Sequence, residues 1–141
     1  MIPEVILNLK AKSKEEAIKE LAQVLFESRK INDKDSYVKD IMNREKILST
    51  YCGSNIAIPH SVSEVVNEAS FAFGRSQGLT WDEDDDLVNF VIILAIPQLK
   101  EGEDTVHIEM MSAIAELALD DDIRKLWEDA TTYQDIIDTF N

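Results

Sequence analysis

The sequence holds a single cysteine, Cys52, so no disulfide can form within the chain, and no CxxC or clustered Cys/His spacing marks a structural zinc site. A reducing cytoplasm suits such a chain. Long apolar runs are also missing: the longest, Phe90 to Pro97, is far too short to cross a bilayer, and Met1-Ile2-Pro3-Glu4 offers no basic segment followed by an apolar one. The expectation is a cytoplasmic protein that is not exported and has no direct membrane insertion. Basic residues are scarce, 14 against 28 acidic ones, and the formal charge of −14 argues against nucleic acid and anionic lipid as partners. A partner with a basic face is favoured. The chain carries no repeat, linker or low-complexity segment, and its 141 residues amount to one domain with a proper core, taken as 1–141.

What is present alternates between strand-like and helix-like stretches. Glu4 to Leu9 reads as a short strand, and Ser13 with Glu16 forms a capping box for a helix whose apolar stripe is Ala17, Ile18, Leu21, Ala22 and Leu25, ending near Arg29-Lys30. Asp33 or Asp35 caps a second helix bearing Tyr37, Val38, Ile41 and Met42, which places Arg44-Glu45 near its end. Ile56 to Ile58 is strand-like, and so is Ser70 to Gly74, with a turn expected around Gln77-Gly78. The acidic run Asp82 to Asp86 reads as a solvated loop without chemistry. Leu87 to Ile96 is almost continuously apolar, as a central strand covered on both faces should be. Gln98 to Asp104 reads as a charged loop. A helix capped by Asp104 or Thr105 then carries Val106, Met110, Ala113, Ile114 and Leu117, a shorter one buries Ile123, Leu126 and Trp127, and a last one from Thr132 carries Ile136, Ile137 and Phe140. Interleaved strands and helices indicate a single three-layer α/β domain.

Only two histidines occur, His60 and His107. His60 follows Ile56-Ala57-Ile58-Pro59, so its imidazole is expected at the end of a buried strand, on a rigid mount, with the polar Ser61 to Glu64 leaving it open. Gly53 and Asn55 just before this strand can take left-handed backbone angles. His107 falls in the first turn of its helix, where free N–H groups favour an anion. Arg44 suits phosphate oxygens through its planar fork, or it is a helix C-terminal charge; His107 has the alternative of a polar residue on a helix surface. Ser49 and Thr50 either supply hydroxyl donors or cap the turn into the strand. Cys52, without an orienting third group, is read as a buried apolar residue and not as a nucleophile.

Arg44-Glu45, Ser49-Thr50, the Ile-Ala-Ile-Pro-His string ending at His60, and His107 after the apolar strand that ends in Ala95-Ile96-Pro97 occur in an order that resembles the enzyme IIA domain of the fructose and mannitol class of the bacterial sugar phosphotransferase system. The resemblance runs over essentially the whole chain. It implies a mixed β-sheet with helices on both faces. It further implies a phosphotransferase component that takes phosphate onto the ε nitrogen of His60 from the histidine-containing phosphocarrier protein, with His107 beside it, and passes it to a cysteine of enzyme IIB for sugar uptake. No metal or organic cofactor is implied. One departure stands out: the family's usual Gly-x-Gly is here Gly53-Ser54-Asn55, and Asn tolerates the positive φ required. Two other readings remain open: a regulatory domain of the same kind, nitrogen-related or attached to a transcription regulator, that uses the phosphohistidine as a signal, and a metal hydrolase built on His60, His107 and Glu109.

Overall fold

In the computed structural model of the protein, residues 2–98 and 104–141 are described, except for the side chains of 104–106. The expected 98–104 loop, the cap at Asp104 or Thr105 and the place of Val106 in its stripe fall wholly or partly outside the described residues. Strands are β1 (Glu4–Ile6), β2 (Tyr51–Gly53), β3 (Ile56–Ala57), β4 (His60–Ser63), β5 (Ser70–Leu79) and β6 (Val88–Pro97). Helices are α1 (Lys14–Glu27), α2 (Lys34–Ile47), α3 (Asp104–Ala118), α4 (Asp121–Asp129) and α5 (Tyr133–Asp138). The sheet runs β1-β5-β6-β3-β2, with β4 also paired to β6, and it is mixed: β1 lies parallel to β5, and β3 and β4 parallel to β6, whereas β5 with β6 and β2 with β3 are antiparallel.

The long apolar stretch is indeed the central strand, fully buried from Val91 to Ile96. Its side chains alternate between two cores. Val91, Ile93 and Ala95 join Ala17, Ile18, Leu21 and Leu25 of α1 and Tyr37, Val38 and Ile41 of α2. Phe90, Ile92, Leu94 and Ile96 join Ile114 of α3, Trp127 of α4 and Ile136 of α5. The second core is aromatic, with Phe73, Phe90 and Phe140 all ringed around Trp127 at centroid separations of 5.2, 5.5 and 5.7 Å.

Local signals explain the helix starts. The Ser13 hydroxyl accepts from the Glu16 N–H, but the Glu16 carboxylate turns to the Lys12 N–H instead of completing the expected box. Asp33 caps α2 through the Ser36 N–H, and Thr132 with Asp135 closes a full capping box on α5.

Several expectations are corrected. β1 is shorter than Glu4 to Leu9. The turn expected around Gln77-Gly78 is a bulge within β5: the register slips between Arg75 and Leu79 while the Ser76 hydroxyl takes the Gly78 N–H, and the chain reverses in the acidic loop instead. Ala113 and Leu126, placed in buried stripes by periodicity, are exposed. Both sit on helices that cover only one side of the sheet, where a single turn's rotation moves a stripe's edge into solvent.

Candidate functional site

The Ile56 to Ser63 stretch is one extended run along β6. Ile56 pairs with Phe90, Ala57 with Val91 and His60 with Leu94, so the register never slips. The ladder breaks between β3 and β4 because Pro59 has no N–H to donate, although its carbonyl still accepts from the Leu94 N–H at 2.9 Å. His60 therefore opens β4 in the middle of a run, where the sequence reading put it at a strand's end. Strand alternation assigns its face. Ile56 and Ile58 pack in the aromatic core, Ser63 on the other side donates to Asp40 of α2, and His60 pairs with Leu94 and Val62 with Ile96 of that same core. His60 and Val62 thus face the α3 side.

The ring is half-buried, and its Nδ1 lies 2.8 Å from the Ile58 carbonyl. A carbonyl only accepts, so Nδ1 carries the proton and Nε2 of the neutral ring keeps its lone pair. His107, the fourth residue of α3, lies three and four residues before Met110 and Met111, which pack on the core that holds Ile58. Its half-buried ring is therefore on the sheet-facing side of α3, the side to which His60 points. Glu109, on the other hand, is exposed on a different face of α3, which separates it from His107 as a ligand. No group of three or more His, Cys, Asp or Glu among the described residues could hold a metal ion.

Before the strand run, the chain is tied down by a cluster that the sequence reading did not anticipate. Glu45 continues the buried face of α2 one turn beyond Ile41 and is itself buried. Its carboxylate accepts from the Thr50 N–H at 3.1 and 3.3 Å and from Trp81 Nε1 at 3.1 Å, and pairs with Lys14 Nζ at 3.1 Å. Lys14 also bonds Asp82 at 2.7 Å. Burial alone would lower the Lys14 pKa, but these two carboxylates outweigh it and raise it above 10.5. Burial alone would raise Asp82, and the bonds from Lys14 and Ser49 hold it below 3.8. The acidic loop thus has a job at its first residue, contrary to the expectation for the run. The signal that could have found Glu45 is a carboxylate at helical spacing on an apolar stripe, which demands buried partners.

Arg44 sits in the last turn of α2 and donates Nη1 to the Leu48 carbonyl at 2.8 Å, so the helix-end role is realised with other N–H groups of the fork remaining. The Ser49 hydroxyl gives its proton to Asp82 and accepts from the Tyr51 N–H, which makes it a holder of the turn. Thr50 is different. Its carbonyl takes the Ile58 N–H at 3.1 Å, placing it beside the His60 segment, while its hydroxyl oxygen is buried. Among the described residues, two buried side-chain polar atoms lack a hydrogen-bond partner: Thr50 Oγ1 and His107 Nδ1. Gly53, Ser54 and Asn55 form a tight turn with φ of +84°, +52° and +61°, so Asn55 does take the left-handed angle.

Cys52 overturns its expectation. It is exposed, because β2 is the edge strand and residue 52 points outward, although its sulfur leans in at 3.3 Å from the Thr50 carbonyl. Burial of the sulfur pushes the thiol pKa up. A cleft of about 650 Å³ opens elsewhere, between Asn55, Arg75, Asn89 and Arg124, and His60 lines no part of it. Exposed apolar side chains adjoin the site residues in sequence: Ile47 and Leu48 after Arg44, Val62 after His60, Ile108 after His107.

A histidine with one bare nitrogen on an open strand surface, in a mixed sheet between two helix layers, offers Nε2 as a nucleophile. The chain belongs to the family described as phosphoenolpyruvate-dependent sugar phosphotransferase system, EIIA 2, whose model matches residues 3–141, and it is thereby a phosphotransferase component of that system. It is 36% identical over 137 residues to the PTS system fructose-specific EIIABC component of Bacillus subtilis (strain 168), covering 96% of this chain and 21% of that protein. It is 34% identical over 134 residues to the 2-O-alpha-mannosyl-D-glycerate-specific EIIABC component of Escherichia coli (strain K12), covering 93% of this chain and 20% of that one. The chain thus spans about a fifth of the length of these two relatives. Among solved structures, IIA mannitol from Escherichia coli superposes with a TM-score of 0.80 at 25% identity, covering 98% of this chain and 96% of that one. The nitrogen regulatory protein IIA-Ntr of Neisseria meningitidis shares the fold, with a TM-score of 0.86 at 23% identity over 98% and 93% of the two chains. The fold also matches the complex of Escherichia coli enzyme IIA mannitol with phosphorylated enzyme IIB mannitol, with a TM-score of 0.80 at 23% identity over 97% and 93%.

Proposed function

We propose that this chain, as one domain over 1–141, carries phosphate on Nε2 of His60, taken from the histidine-containing phosphocarrier protein and passed to the cysteine of an enzyme IIB that serves sugar uptake. The observation that carries the reading is the Nδ1–H bond to the Ile58 carbonyl, which commits one ring nitrogen and leaves the other as a lone pair on an open face. In the transfer, Nε2 attacks phosphorus in line, the N–P bond of the donor breaks as the new N–P bond forms, and the proton stays on Nδ1, donated to the Ile58 carbonyl. Little covalent help is required, so the protein supplies position and charge. Arg44 offers its remaining guanidinium N–H groups to phosphoryl oxygens. Thr50 Oγ1 and the His107 ring, the two buried polar groups without partners among the described residues, are the further donors, each reached by a side-chain turn towards the anion. The first turn of α3 adds the positive end of its dipole.

Ile47, Leu48, Val62 and Ile108 would form the apolar rim on which the donor and then enzyme IIB dock, and the net charge of −14 would steer a basic partner surface. Among the described residues no helix is long and apolar enough to cross a membrane, in keeping with a cytoplasmic place for the carrier. Transport is favoured over a regulatory role because the two relatives at 36% and 34% identity are named as fructose-specific and 2-O-alpha-mannosyl-D-glycerate-specific components. The regulatory reading shares every step up to the phosphohistidine and lacks the exit to enzyme IIB. The test is incubation with phosphoenolpyruvate, enzyme I and the phosphocarrier protein, then with candidate enzyme IIB proteins encoded nearby. Phosphate that moves from His60 to a IIB cysteine supports transport; a phosphohistidine that no IIB discharges supports the regulatory reading.

A further inference from the structure

The buried carboxylate of Glu45 stands out because α2 could close its apolar face with Leu or Met at that position without desolvating a charge. Glu45 instead sits at the head of a short relay. Its oxygens take the Thr50 N–H; the Thr50 carbonyl, across that same residue, takes the Ile58 N–H at 3.1 Å; and the Ile58 carbonyl takes Nδ1–H of His60 at 2.8 Å. The Ile58 link is the vulnerable one. Ile58 and Pro59 fall in the gap of the ladder between β3 and β4, so the carbonyl that holds the ring is fixed on one side by the Ile58 N–H bond to Thr50 and on the other by the bond of the Pro59 carbonyl to Leu94.

We infer that Glu45 is a positioning residue for His60: through Thr50 and Ile58 its carboxylate sets the tautomer and orientation that leave Nε2 bare. This rests on the reading of His60 as the phosphate acceptor. Lys14 and Trp81 both bond Oε1, the carboxylate oxygen farther from the Thr50 N–H, and leave Oε2 to Thr50.

The test compares wild type with Glu45→Gln, Glu45→Asp and Trp81→Phe, each checked for folding by circular dichroism. Long-range ¹H–¹⁵N spectra read the tautomer of His60, and label uptake from the phosphorylated donor gives kcat and KM separately. In wild type the Nδ1–H form dominates. Glu45→Gln presents N–H groups where acceptors are needed and should give mixed tautomers, with kcat lower by roughly tenfold to a hundredfold and KM little changed. Glu45→Asp keeps the charge beside Lys14 but draws the oxygens back from Thr50, and it should lie between. Trp81→Phe removes a bond to Oε1 but leaves Oε2, the nearer acceptor of the Thr50 N–H, in place, and it should lower stability while keeping the tautomer. Folded Glu45→Gln and Glu45→Asp with the wild-type tautomer and kcat would overturn the inference, and so would a Trp81→Phe variant that loses the tautomer equally, because that pattern is general loosening. If the tautomer follows Glu45 but wild type never takes label on His60, the relay stands and the phosphocarrier reading falls.

Discussion

Thr50→Val removes one buried hydroxyl and replaces it with a methyl of nearly the same shape. Thr50 is 7% exposed, and Oγ1 finds no partner among the described residues, while the backbone N–H and carbonyl of this residue keep their bonds to Glu45 and Ile58 whatever the side chain is. A buried hydroxyl left unpaired costs about 1–3 kcal/mol, and a buried methyl contributes about 0.8 kcal/mol. Thr50→Val should therefore be more stable than wild type by at least about 1 kcal/mol in urea unfolding, against the usual direction for a core substitution. Its effect on function should run the other way. A hydrogen bond to a charged phosphoryl oxygen is worth about 1.5–3 kcal/mol, so uptake of label should slow by roughly tenfold to a hundredfold. Stability up and transfer down in one variant is the signature of a polar group kept for the phosphate. A loss of stability would show that Oγ1 has a partner in the resting protein, and unchanged uptake would show that it never meets the phosphoryl group.

Other expectations follow from the same geometry. His107→Ala should slow uptake by roughly tenfold to a hundredfold without abolishing it, with His107→Gln recovering part; complete loss in a folded variant, or label on His107, would reverse the roles of the two histidines. Because Cys52 is exposed, Cys52→Ala should shift stability by no more than about 0.5 kcal/mol and leave transfer intact, and its raised thiol pKa should make alkylation at neutral pH slower than that of a free cysteine. Asp82, held below 3.8 in the fold, adds stability that is complete above 3.8 and lost as pH falls through its lowered value. In Lys14→Met the largest of the bonds that lower Asp82 disappears and its pKa moves up from the wild-type value, so acid unfolding should begin at higher pH than in wild type.

The legible parts of the chain were those whose cause is local. The α1 stripe, the caps at Asp33 and Thr132 and the central β6 were all written in short-range patterns, and so was the tight turn at Gly53 to Asn55. The mount of His60 was half legible: the strand pattern and Pro59 placed it, but only the pairing of His60 with Leu94 shows that the strand resumes beyond the proline. Glu45 was opaque because its partners Lys14 and Trp81 are 31 and 36 positions away in sequence and meet it only in the fold. Cys52 misled for a related reason, since nothing in Tyr51-Cys52-Gly53 tells an edge strand's outer face from its inner one. The edges of the α3 and α4 stripes failed at Ala113 and Leu126, where periodicity fixes the spacing of a face but not its width.

The central claim is tested most directly by phosphorylating the chain with phosphoenolpyruvate, enzyme I and the phosphocarrier protein, and locating the phosphate by mass spectrometry of the intact and digested product, with ³¹P–¹⁵N correlation for the nitrogen. The account predicts one phosphate on Nε2 of His60, lost in acid, stable in base and absent from His60→Ala. Stable labelling of His60→Ala, or phosphate on Nδ1 of His60, would contradict it.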